Sequence, residues 1–81
     1  MTKEEALKLI EETKVNYQQK QHIARGLNIL AKYDDNMQMS FEHDQMWAAD
    51  FDSTTAKMTR EDVIELAACG WFEDTESWSH F

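Results

Sequence analysis

Apolar and polar positions along this chain change period several times, and each change marks an element. Thr2 and Glu5 have the Thr-x-x-Glu spacing of a capping box, and Ala6, Leu7 and Ile10 follow as one apolar stripe, which predicts a helix from about Lys3. Its end is less defined. Asn16 with Gln19 three residues later is a second cap, yet no Gly or Pro between 11 and 25 forces a break, so one bent helix and two helices both fit. Ile23, Leu27, Leu30 and Ala31 form the next stripe, which stops at Asp34-Asp35-Asn36. Gly26 interrupts that helix at about 1 kcal/mol relative to Ala, which is explained if another backbone approaches closely there.

From Met37 the period falls to two: Met37, Met39 and Phe41 alternate with Gln38, Ser40 and Glu42, which predicts a strand over 37–42. The alternation changes phase across His43-Asp44-Gln45, and Met46–Ala49 reads as continued extended chain after a bulge or tight bend. Asp50–Lys57 is a polar connection anchored by Phe51. A third helical stretch then starts at Thr59, an N-cap with Asp62 at its third position and Met58 and Val63 placed as a hydrophobic staple. Val63, Leu66 and Ala67 give its stripe, and Gly70 stands where a left-handed C-cap is needed, so it ends at about Cys69.

Trp71 and Phe72 are separated from Trp78 and Phe81 by the polar Glu73–Ser77, which predicts a closing hairpin over 71–81 with Trp71 and Trp78 turned inward. The strand from 37 is expected to pair on one side of it. The expected architecture is a single α+β domain, residues 1–81: one or two N-terminal helices, a strand, a helix and a hairpin, with helices on one side of a small antiparallel sheet of three strands.

Charge narrows the function classes. The net charge of −8 divides into +2 over residues 1–33 and −10 over residues 34–81. The acidic part repels phosphate backbones and anionic lipid surfaces and is attracted to basic protein surfaces, so direct nucleic-acid and membrane binding are not expected. The single cysteine rules out an intrachain disulfide, and no apolar run approaches the roughly 20 residues needed to span a bilayer. A soluble protein of the cytoplasm is expected.

Catalysis and cofactors find little support. Glu42-His43-Asp44 with His22, His80 or Cys69 is the one cluster with metal-ligand chemistry, but neighbouring strand residues point to opposite faces and no regular ligand spacing is present, so no cofactor is expected. Cys69 belongs to the apolar end of a helix, where a thiolate is disfavoured, so an enzyme is not expected either. Trp47 is the better candidate. It stands beside Met46 and among Asp44, Asp50 and Asp52, the composition of an apolar centre with an acidic rim, and these five residues are the expected contact with a basic protein partner. One alternative is the −10 segment as a nucleic-acid mimic, which requires Glu42, Asp44, Asp50, Asp52, Glu73, Asp74 and Glu76 to share a face; the other is a small metal-binding domain built on the His43 cluster. An exposed edge strand, or an unburied stripe in residues 3–33, adds a homodimer to the partners worth testing.

Glu42-His43-Asp44-Gln45-Met46-Trp47, the capped helix ending Cys69-Gly70-Trp71, and Ser77-Trp78-Ser79-His80-Phe81 together resemble small proteins encoded by bacteriophages. Those carry a His-Asp-x-apolar-aromatic strand, an acidic helix, a Gly-Trp and a closing Trp-containing strand. The resemblance covers residues 41–81. It implies an origin, a phage or prophage accessory protein acting in the host bacterial cytoplasm, for which inhibition of a host factor is a natural role; it implies no catalytic or binding residues.

Overall fold

The computed structural model describes residues 1–81: four helices and one four-stranded antiparallel sheet. In chain order they are α1 (Lys3–Glu12), α2 (His22–Ala31), β1 (Met39–Glu42), β2 (Gln45–Asp50), α3 (Phe51–Thr55), α4 (Arg60–Ala68), β3 (Phe72–Asp74) and β4 (Ser77–His80). The sheet order is β1-β2-β4-β3.

The α+β class holds, and the sheet has four strands where three are predicted. The phase change at 43–45 is not a bulge in one strand. His43 and Asp44 form a two-residue turn, and the chain doubles back so that Phe41 pairs with Met46 and Ser40 with Trp47. It is therefore β2 that pairs with β4, and β1 reaches the closing hairpin only through β2. The irregularity lies further on, between Ala48 and Asp50, where Ala49 takes φ 62° and the register shifts.

The N-terminal region is two helices. The capping box at Thr2 and Glu5 is formed, and α1 ends at Thr13, which is extended. Asn16 does not start a helix: its side chain accepts from the Gln18 N–H at 3.1 Å and turns the chain instead. α2 begins six residues later, behind Gln21 in a left-handed conformation that makes no side-chain cap. The segment read as a polar connection contains α3, because the Asp50 carboxylate accepts from the Ser53 N–H at 2.8 Å and caps it.

All four helices contribute to one core with Met46, Ala48 and Trp78 of the sheet: Ala6 and Leu9 from α1, Leu30 from α2, Phe51 from α3, and Val63 and Leu66 from α4. Trp71 and Trp78 are buried as expected, and each indole N–H has a partner, the His22 carbonyl and the Thr54 hydroxyl, both at 3.0 Å. Met58 and Val63 are both buried, Thr59 caps α4, and Gly70 ends it at φ 85°. Phe72 and Phe81 do not join this core. They stack on each other at 5.5 Å outside this core, with Phe81 largely exposed.

Candidate functional site

Alternation along β2 sends Met46 and Ala48 into the core and Trp47 to the other sheet face. On that face Gln45 and Trp47 neighbour Ser79 of β4 and Phe72 and Asp74 of β3. These side chains are linked. The Trp47 indole N–H donates to Asp74 Oδ2 at 3.0 Å, and the Gln45 amide donates to the same oxygen at 3.1 Å and to the Ser79 hydroxyl at 2.8 Å. Ser79 in turn donates to the Met46 carbonyl at 2.8 Å and is fully buried. One carboxylate on an edge strand thus fixes the tilt of a half-buried indole two strands away. The ring is pre-set rather than free to rotate.

Beside that indole is a cleft of about 390 Å³ lined by Asp34, Asn36 and Gln38 from the approach to β1, Ser40 of β1, Asp50 at the end of β2, and Ser77 of β4. Two carboxylates and several amide or hydroxyl groups therefore surround one aromatic wall. No basic side chain lines it.

The five residues singled out in the sequence are only partly gathered. Trp47 and Asp50 share this cleft. Asp44 is exposed in the β1–β2 turn at the other end of the strands, where it lines a second hollow of about 220 Å³ with Ile23, Phe41 and Phe81. Asp52 is exposed on α3, 3.7 Å from the Lys3 ammonium. Met46 is 4% exposed and packs in the core, reaching the surface only at the floor of the hollow it shares with Asp44. Gln45 shares a face of β2 with Trp47, two residues away, whereas Asp34, part of a turn signal in the sequence, and Asp74 reach Trp47 only when distant segments fold together.

The other chemistry-bearing residues stay apart. The carboxylates proposed to share a face are dispersed: Glu42 is on one sheet edge, Glu73 and Asp74 on the other, Asp44 and Glu76 in the two hairpin turns, and Asp52 on a helix. No three His, Cys, Asp or Glu side chains converge as a metal site. Cys69 is buried, and that burial, with Glu65 nearby, raises its pKa and keeps the thiol protonated. The strongest charge cluster is structural. Asp62 accepts from the Tyr33 hydroxyl and lies 2.8 Å from the Lys32 ammonium, which joins α2 to α4. No helix is long and apolar enough to cross a membrane. Compared with protein-family models, curated proteins and solved structures, the chain matches none.

Proposed function

We propose that this protein is a protein-interaction module that receives a basic side chain of a partner protein in the Trp47 cleft. The observation carrying this reading is the pairing of an indole held by Asp74 with the Asp34 and Asp50 carboxylates around one hollow. A lysine or arginine there gains cation–π attraction from the ring and Coulombic attraction from both acids, and a ring already fixed loses little entropy on binding. The net charge of −8 adds long-range steering toward basic surfaces. With the resemblance of residues 41–81 to phage-encoded proteins, the setting we propose is a phage or prophage accessory protein acting on a host or phage protein in the bacterial cytoplasm, as an inhibitor of a host factor. The dispersal of the acids over both sheet edges and both turns leaves the nucleic-acid mimic with little support.

The test is capture from bacterial lysate at low and high salt with three baits: the natural chain, Trp47→Ala and Asp50→Asn. Asparagine keeps the α3 cap and removes only the charge. A partner retained by the natural chain at low salt, weakened by Asp50→Asn and lost with Trp47→Ala is the expected result. Equal retention by all three baits would remove the cleft from consideration.

A further inference from the structure

The sheet has two edges, and they are not equivalent. β3 is three residues long and half-buried, and self-pairing about its central residue would set Glu73 against Glu73 of a second copy. β1 is exposed along its whole length, with Met39 50% and Phe41 70% exposed. It has no lysine, proline or bulge, and only its short length and the single charge of Glu42 protect it.

Its outward hydrogen-bonding groups are set by the turn beside it. A two-residue connection makes Glu42 and Gln45 a hydrogen-bonded pair, and the pattern alternates, so Glu42 and Ser40 bond to β2 while Met39 and Phe41 direct their N–H and C=O groups away from the sheet. Twofold antiparallel pairing must join those outward residues. Three registers do so. Centred on Met39, the pairing sets Phe41 against Met37, which precedes β1 and packs against the core. Centred on Phe41, the pairing sets Met39 against His43, which at φ 55° has already left the extended conformation. Centred on Ser40, it sets Met39 against Phe41 twice, giving two hydrogen-bonded pairs with apolar side chains on one face. On the other face Ser40 meets Ser40, and Glu42 meets Gln38, an amide that can donate to it. No like charges oppose each other.

We propose that the partner of β1 is a second copy of this chain, paired about Ser40 to form a continuous eight-stranded sheet. Four residues per copy make a small interface, so the dimer is weak and reversible. Trp47 is opposite Ser40 in the hairpin, so the two Trp47 residues stand on one face about 14 Å apart, three interstrand spacings. That the paired clefts form a bivalent site rests on the function proposed above; the dimer itself does not.

Sedimentation from about 10 µM to about 1 mM at physiological salt should show the mass rising from one chain toward two. Ser40→Lys places two ammonium groups against each other and should hold the protein at single-chain mass with its circular dichroism unchanged. Under mild oxidation Ser40→Cys should form a cross-linked dimer, because non-hydrogen-bonded partners have Cα atoms about 4.5 Å apart. Glu42→Cys should not, since the two Glu42 residues are four positions out of register. Single-chain mass throughout, a dimer that survives Ser40→Lys, or equal cross-linking by both cysteines would each overturn the proposal. Loss of lysate capture with the dimer intact would count against the cleft alone.

Discussion

At the scale of single residues, Gly26 shows how a position that helix propensity marks as weak is required by packing. A Cβ there would stand 2.0 Å from Nε1 of Trp71, whose indole N–H is bonded to the His22 carbonyl one turn earlier on the same helix. The close approach that the glycine implies is made by an indole, not by another backbone. Gly26→Ala should therefore destabilise the protein by about 1–3 kcal/mol through overpacking, where an open helix surface would gain about 1 kcal/mol; urea unfolding decides the sign. Asp62 is a second such residue. Burial pushes its carboxyl up, but hydrogen bonds from Lys32 and Tyr33 outweigh that and hold it below its ordinary value. A depressed folded pKa contributes stability that is present above the unfolded value, near pH 4, and is lost as pH falls through the folded value. Asp62→Asn should thus cost about 1.5–3 kcal/mol at pH 7, the range for hydrogen bonds to a charged group, and the gap from the natural chain should close below about pH 4. A gap that stayed constant down to pH 2 would place the effect in packing instead.

At the scale of elements, what the sequence reveals depends on whether the signal is local. The caps at Thr2, Thr59 and Gly70 are read correctly because each is set within a few residues. Both hairpin turns are harder to read. His43-Asp44 lacks the Asn-Gly pattern, with His43 at φ 55°, so a turn resembles a phase slip in one strand and the fourth strand is missed. Thr75 and Glu76 are at φ 49° and 68°, both left-handed, where neither residue is favoured. The closing hairpin is legible only because aromatics flank it. That conformation costs roughly 1–2 kcal/mol per non-glycine residue, and Asn and Gly are the residues that relieve it. Thr75→Asn combined with Glu76→Gly should raise unfolding stability by about 1–2 kcal/mol, visible as a higher denaturation midpoint with an unchanged m-value. Trp47 is recognisable by its neighbours in sequence, but Asp74 and Asp34 enter its surroundings only after β2 pairs with β4 and the chain before β1 folds against the sheet.

At the scale of the whole molecule, sixteen acids face eight lysines and arginines, and only Lys3 and Lys32 come within 4 Å of a carboxylate. Close ion pairing is thus confined to two pairs, and at longer range the net charge of −8 makes repulsion among carboxylates outweigh attraction. Added salt screens the long-range repulsion more than the 2.8 Å contact at Asp62, whose side chain is 17% exposed although that of Lys32 is 56% exposed. Folding stability should therefore rise between about 10 mM and about 150 mM sodium chloride, as the Debye length shortens from about 30 Å to about 8 Å. A fall over that range would mean that the two ion pairs outweigh the self-repulsion. Partner capture should move the other way, because the same screening weakens attraction between an acidic module and a basic surface. Dimerisation through β1 should strengthen with salt, since two chains of net charge −8 repel at a distance and their proposed seam opposes no like charges. Three responses to one variable, two rising and one falling, separate the self-repulsion of the fold and the edge-strand pairing from the cleft's attraction for a cation.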